Sequence, residues 1–186
     1  RRLTLEITVS TSSALRVLLA LSFAAAPLAV HAQTVSAACK LVLDAHTKEI
    51  STPRHSYLTQ TDPGKNPTTL ETISTPTKAF MLLDGKWVGG ANSPRDQIAQ
   101  MQENLRNTKV YECRNLPDAS IDGVATFVYF AHSDNESIKT DTKLWVEKST
   151  GLILREEIDM YSDPSARRHI VERYDYKNVQ PPAGAR

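Results

Sequence analysis

The chain has 186 residues, of which 40% are hydrophobic and 23% charged, and its formal net charge is +1. This length corresponds to about one domain, and the composition is that of a globular chain, not a disordered or collagen-like one. The near-neutral charge argues against nucleic-acid binding, and no run of Lys or Arg forms a membrane-surface patch.

An apolar segment near the N-terminus is typical of a signal peptide. Arg16 precedes an apolar run of about a dozen residues, and Val30 and Ala32 occupy the two positions that a signal peptidase reads. We therefore predict that residues 1–32 are an N-terminal extension and a signal peptide cleaved after Ala32. The alternative is a transmembrane anchor, for which the run is short and interrupted by Pro27.

The remaining chain, residues 33–186, is predicted to be a single domain that works in the periplasm or outside the cell. Cleavage removes three of the 22 basic and one of the 21 acidic residues, which leaves a net charge of about −1. In an oxidising compartment, the two cysteines, Cys39 and Cys113, predict one disulfide, with two buried free thiols as the alternative. Ser36-Ala37-Ala38-Cys39 also loosely resembles a lipobox, in which Cys39 would be lipidated. However, Ser36 replaces the preferred Leu, and the apolar run ends well before it.

Two helices are predicted from spacing and capping signals. The first runs from Ser36 to about Ile50, and the second from Ser93, a good N-cap, to about Asn107. Pro94 suits the first helical position of the second helix. Their apolar stripes are Ala38, Leu41, Val42 and Ala45 in the first, and Ile98, Met101 and Leu105 in the second.

The other segments predict antiparallel strands. They are 56–59, 69–73, 78–83, 86–88, 110–113, 124–132, 142–147, 152–160 and 169–176. Asp84-Gly85 and Asp122-Gly123 are hairpin turn signals, and another turn is expected near 115–118. One predicted face is apolar: Leu144, Val146, Leu152, Leu154, Ile158 and Met160. The other is charged: Lys143, Glu147, Arg155 and Glu157. This alternation favours an α+β fold in which helices cover one face of an antiparallel sheet.

Several segments resemble the LolA/LolB-like periplasmic lipoprotein carriers. The most specific is 143–155, with Trp145-Val146 followed by the turn Thr150-Gly151-Leu152 and a strand containing Arg155. Segments 121–125 and 174–179, with the Pro-Pro tail, resemble that family's strand entry and closing strand. The resemblance implies a curved antiparallel sheet, a half-barrel, covered by two or three helices.

The resemblance also implies an apolar cavity for acyl chains. The side chains predicted to contact a ligand there are Leu58, Leu70, Phe80, Leu82, Val128, Phe130, Leu144, Val146, Leu154 and Ile158. The alternative is that the same side chains fill a solid core. Burial of an apolar ligand would supply about 25 cal/mol per Å² removed from water.

No catalytic or metal motif is present in the sequence. His46, His55, His132 and His169 lack a metal-ligand spacing, and there is no Cys-x-x-Cys or Gly-x-Ser-x-Gly. The prediction is therefore a non-catalytic periplasmic carrier, without cofactor or metal, for an apolar small molecule, lipid or lipoprotein. Peripheral contact with a membrane is compatible with this prediction. The alternatives are an envelope protein that binds another protein through the same sheet and, less favoured, a small secreted enzyme.

Overall fold

The computed structural model describes residues 36–90, 93–135 and 137–184. The predicted signal peptide and its cleavage site lie outside these residues. Within the described part of the chain, no helix is both long and apolar enough to cross a membrane.

The described residues form two α-helices, nine strands and one 3₁₀ turn. The helices are α1 (Ala37–Ser51) and α2 (Pro94–Asn107), and the 3₁₀ turn is Pro164–Ala166. The strands are β1 (Arg54–Thr61), β2 (Thr68–Ser74), β3 (Ala79–Leu83), β4 (Lys86–Gly89), β5 (Val110–Ile121), β6 (Val124–Asp134), β7 (Lys139–Glu147), β8 (Ile153–Tyr161) and β9 (Arg168–Asp175).

All nine strands belong to one open antiparallel sheet in the order β4-β3-β2-β1-β9-β8-β7-β6-β5. The sheet is curved and does not close into a barrel, because β4 and β5 remain at opposite edges. The predicted α+β fold, a half-barrel sheet with helical cover, is confirmed.

Local signals behave as predicted at the helix starts and tight turns. Ser36 caps α1, and Ser93 forms a reciprocal capping box with Asp96 at the start of α2. The β3–β4 and β5–β6 hairpins turn at Asp84-Gly85 and Asp122-Gly123. All four turn residues have positive φ, from 48° to 84°. Asp and Gly tolerate this left-handed conformation, which explains why these dipeptides form two-residue hairpin turns.

The predicted turn at 115–118 is wrong. Strand β5 continues through this segment, and a register shift between Leu116 and Ala119 accommodates Pro117. Proline lacks an N–H donor and is tolerated at bulges and on edge strands. Because β5 is an edge strand, Pro117 interrupts the hydrogen bonding without ending the strand.

A second irregularity changes which residues of β8 face the helices. The register shifts so that Trp145 pairs with Arg155 but Val146 pairs with Ile153, which leaves Leu154 unpaired. Strict alternation predicted Leu152 and Leu154 as core residues. Instead, Ile153 is completely buried and packs in the core. An extra residue in one strand reverses the alternation on its far side.

The core lies between α1 and strands β5 to β8. It consists of Val42, Ala45, Tyr129, Ala131, Leu144, Val146 and Ile153, with Tyr111, Cys113 and Tyr174 packed around it. A disulfide joins Cys39 of α1 to Cys113 of β5, so the predicted pairing is confirmed. A cysteine in a disulfide cannot carry a thioether-linked lipid, and the lipobox alternative for Cys39 is therefore wrong.

We expect the disulfide to contribute substantially to stability, because it connects residues 74 positions apart. The double variant Cys39→Ala/Cys113→Ala should lower the free energy of unfolding by about 2–4 kcal/mol in a urea titration. The wild type with its disulfide reduced should show a similar loss. A variant as stable as the oxidised wild type would contradict the expectation.

Candidate functional site

A groove of about 360 Å³ lies between the two helices and the sheet. Leu43, His46 and Ile50 of α1 form one wall, and residues of α2 form the opposite wall. The floor consists of Tyr111, Ala131, Ser133, Thr140 and Thr142 from strands β5 to β7. This volume is at the lower end of the range for small-molecule pockets.

Helix α2 covers this groove without being buried itself. None of its residues is buried, although Ile98, Met101 and Leu105 form an apolar stripe that is only partly covered. A side-chain hydrogen bond connects it to the sheet, from Arg54 Nη2 to Gln97 Oε1 at 3.1 Å. An amphipathic helix derives most of its stability from packing its apolar face. Helix α2 therefore resembles a lid above an open groove, and part of its apolar surface remains exposed to solvent.

The ten residues predicted to contact a ligand do not form one site. Directly paired residues of antiparallel strands lie on the same face of the sheet. By this register, five predicted residues lie on the face that carries α1: Leu58, Leu70, Leu144, Val146 and Ile158. Four lie on the opposite face: Phe80, Leu82, Val128 and Phe130.

The tenth, Leu154, is at the bulge, and none of the ten is among the residues that line the groove. Of the five on the α1 face, Leu144 and Val146 are buried in the core beneath α1. Ile158 pairs directly with Thr142 of the groove floor. Phe80, Leu82, Val128 and Phe130 therefore do not share a face with the other predicted residues, although Phe80 and Val128 are themselves buried, at 7% and 3% exposure.

The misplacement has a physical reason. Strand β6 is apolar on both faces, so alternation alone cannot tell which face meets the helix. The disulfide decides it, because Cys113 pairs with Ala131 and both therefore lie on the face of α1. Tyr129 and Ala131 enter the core beneath α1, and Val128 and Phe130 lie on the opposite face of the sheet, where Val128 is also buried.

Next to the groove, buried and half-buried ionisable side chains meet where α1 packs against β1, β8 and β9. They are Glu49 and His46 of α1, Arg54 of β1, Glu156 of β8, and Glu172 and Tyr174 of β9, and we call them the buried polar cluster. Glu49, Arg54 and Glu156 are at most 8% exposed. Arg54 forms an ion pair with Glu49, and its Nη1 donates to the carbonyls of Glu49 and Ile50 at 3.2 Å.

Glu156 is the member of the buried polar cluster whose burial is least compensated by hydrogen bonds. Its Oε1 lies 3.3 Å from His46 Nδ1, but the geometry is not that of a hydrogen bond, and this oxygen has no hydrogen-bond partner among the described residues. Burial, reinforced by the nearby Glu172 carboxylate, raises the pKa of Glu156 to about 8. Its carboxyl group is therefore largely protonated at neutral pH.

Burial also dominates the ionisation of the two α1 members. It raises the pKa of Glu49 to about 7, against the opposing attraction of Arg54. Burial lowers the pKa of His46, although Glu49 and Glu172 oppose this. His46 lines the groove and lies against Glu156, so it connects the groove to the buried polar cluster.

Sequence reasoning missed this cluster, although one signal was present. Glu49 follows Val42 and Ala45 at the spacing of one helix face, so the apolar stripe of α1 ends in a carboxylate. A charged side chain that lies on the buried face of a helix requires an opposite charge or hydrogen bonds to compensate for its burial. The partners come from β1, β8 and β9, which are distant in sequence.

Comparison with solved structures finds matches at low sequence identity. The Mycobacterium tuberculosis lipoprotein LppX is 11% identical with a TM-score of 0.45, over 78% of this chain and 99% of that chain. MucB, in complex with MucA(peri), is 13% identical with a TM-score of 0.48, over 78% and 60%. A LolA superfamily protein from Nitrosomonas europaea is 9% identical with a TM-score of 0.27, over 78% and 96%.

No family model and no curated protein matches the sequence.

The buried polar cluster predicts that stability falls as pH rises. The raised pKa values of Glu49 and Glu156 mean that the folded state holds protons more tightly than the unfolded state. Their contribution is fully present below about pH 4.5 and is lost as pH rises to about 8. The lowered pKa of His46 acts in the opposite direction, but only below about pH 6.5. Between pH 6.5 and 8.5, the free energy of unfolding should therefore decrease by about 1–3 kcal/mol.

Urea titrations at several pH values would measure this dependence. Glu156→Gln keeps the shape of the side chain but cannot ionise, so it should reduce the decrease by at least about half. The exposed Glu112→Gln is the matched control and should leave the dependence unchanged. A flat wild-type profile across this interval would contradict the prediction.

Proposed function

We propose that the protein binds an apolar or amphiphilic ligand in the groove between α1, α2 and strands β5 to β7, and carries it without catalysis. The observation behind this proposal is the partly uncovered apolar stripe of α2 above an open groove. An apolar chain in the groove would bury Met101 and Leu105 against Leu43 and Ile50, which stabilises the closed lid.

The two helices suit different roles in such a carrier. Helix α1 is covalently attached to β5 and provides a fixed wall. Helix α2 has its own capping box and none of its residues is buried, so in this proposal it moves away as a unit. The ligand we propose is a lipid or the acyl chain of a lipoprotein. Beyond the groove, its chain would continue on the same face past Ile158 towards Leu58 and Leu70.

We place this activity in the periplasm or outside the cell. The support is the disulfide, which persists in oxidising compartments, together with the signal peptide predicted at 1–32. Because the matched structures have low sequence identity, we base the proposed ligand on the residues that line the groove.

A second candidate function is the binding of a protein partner. It is favoured by apolar side chains on the β3–β4 hairpin that the described residues leave exposed: Met81, Leu83 and Val88, at 37%, 46% and 46%. They lie on the same face of the sheet as Leu70 and Leu58. Exposed apolar groups at a sheet edge favour contact with another chain.

A charge placed on the lid should weaken ligand binding while leaving the fold intact. Met101 lines the groove and is only half-buried, so Met101→Asp should lower affinity for a fluorescent fatty-acyl probe by about ten-fold or more. Gln102→Asp adds the same charge to an exposed neighbour on α2 and serves as the control. Equal affinity in both variants would place the ligand elsewhere.

Native mass spectrometry of protein purified from the periplasm without detergent tests export and carriage together. We expect a chain that starts at Gln33, is lighter by two hydrogens because of the disulfide, and carries a lipid-sized adduct. A chain that retains residues 1–32 would contradict export. An apo mass that stays unchanged after incubation with lipid vesicles would favour the protein-binding candidate.

A further inference from the structure

We propose that the groove selects uncharged amphiphiles, whose polar part offers hydroxyl or ester carbonyl groups, over ligands with an anionic or cationic headgroup. This inference rests on the proposed function and names the chemistry of the ligand. It follows from what lines the groove and from what the neighbouring charged groups are already bound to.

The groove is apolar and hydrogen-bonding at once, but carries no fixed charge. Of the described residues that line it, none is Asp, Glu, Lys or Arg. The apolar part consists of Leu43, Ile50, Met101, Leu105 and Ala131. The hydrogen-bonding part includes hydroxyls from Ser133, Thr140 and Thr142 on the floor and amides from Gln97, Gln100 and Asn104 on the lid, together with the side chains of His46, Thr108 and Tyr111. Hydroxyls and amides both donate and accept, so they suit neutral oxygen-rich groups.

The hydroxyls form a row along the sheet. Ser133 and Thr140 are directly paired across β6 and β7, and Thr142 follows on the same face of β7. Because they lie opposite the amides of α2, a ligand in the groove meets donors and acceptors on two sides. The geometry suits a polar group inside the groove better than a headgroup left in solvent.

An anionic headgroup would lack a cationic partner here. Among the described residues that line the groove there is no Lys or Arg, and Arg54, which contacts the lining residue Gln97, has its guanidinium bound to the Glu49 carboxylate, the carbonyls of Glu49 and Ile50, and Gln97 Oε1. These contacts use all three nitrogens of the guanidinium. An anion in the groove would therefore lose its hydration without a compensating ion pair, which is costly.

A cationic headgroup would also lack a partner. The carboxyl groups of Glu49 and Glu156 lie behind His46 and are buried, at 5% and 4% exposure. Glu49 is paired with Arg54, and burial raises the pKa of Glu156 to about 8, so it is mostly neutral. Burial also lowers the pKa of His46, which keeps the imidazole at the groove neutral.

The test compares three ligands that share one alkyl chain and differ in headgroup: a monoacylglycerol, a fatty acid and an alkyltrimethylammonium. Delipidated protein is titrated with each by calorimetry near pH 7, below the concentration at which the ligands aggregate. We expect the monoacylglycerol to bind at least about ten-fold more tightly than either the fatty acid or the alkyltrimethylammonium. Equal or tighter binding of an ion would overturn the selectivity but leave the proposed function standing. Binding of none of the three would instead overturn the proposed function.

Two variants separate selectivity from a general loss of folding. Thr142→Val keeps the shape of the side chain and removes a floor hydroxyl, so it should weaken monoacylglycerol binding by about three- to ten-fold. Thr59→Val makes the same change on the opposite face of the sheet and should have no effect. A loss in both variants would indicate altered folding and would contradict a specific role of the groove hydroxyl.

Gln100→Arg places a cation at the groove on an exposed lid position, where it should not disturb packing. It should raise the ratio of fatty-acid affinity to monoacylglycerol affinity by about ten-fold, because it adds a cation for the carboxylate and removes an amide that meets the monoacylglycerol. If this ratio does not increase, the headgroup lies outside the groove and the inference is wrong.

Discussion

The structure depends on the attachment of α1 at both of its ends. At the N-terminal end, the disulfide from Cys39 to Cys113 fixes the helix to the edge strand β5. At the C-terminal end, Arg54 of β1 donates to the carbonyls of Glu49 and Ile50 in the last turn of the helix. In the strand order, β9, β8, β7 and β6 lie between these two attachment points. A single helix therefore spans most of the sheet and gives it a covered face.

This arrangement explains why the interior is divided into two different regions. Directly beneath α1, Leu144, Val146 and Ile153 pack against Val42 and Ala45, so this region is a filled core. To the side of α1, towards α2, the sheet presents smaller and more polar side chains such as Ser133 and Thr142, and the groove remains open. A filled core and an open groove therefore occupy different positions on the same face of the sheet.

Local signals in the sequence were sufficient to predict the elements, because caps and tight turns depend on a few adjacent residues. Ser93 with Asp96 and the two Asp-Gly turns are examples. Which face of a strand is buried depends instead on distant partners. The bulge that brings Ile153 into the core beneath α1, and the pairing that places Val128 on the opposite face of the sheet, arise from cross-strand register. The fold was therefore more predictable than the site, whose lining comes from five separate elements.

The buried polar cluster has a role that packing alone does not explain. Hydrophobic side chains in its place would avoid the cost of desolvating Glu49, Glu156 and Arg54, and replacing buried ion pairs in this way is often neutral or stabilising. The guanidinium of Arg54, however, contacts the end of α1 and Gln97 of the lid at the same time. A change in the ionisation of Glu49 alters the partner of that same guanidinium. One charged group, the Arg54 guanidinium, therefore connects the end of α1 and the sheet to Gln97 of α2.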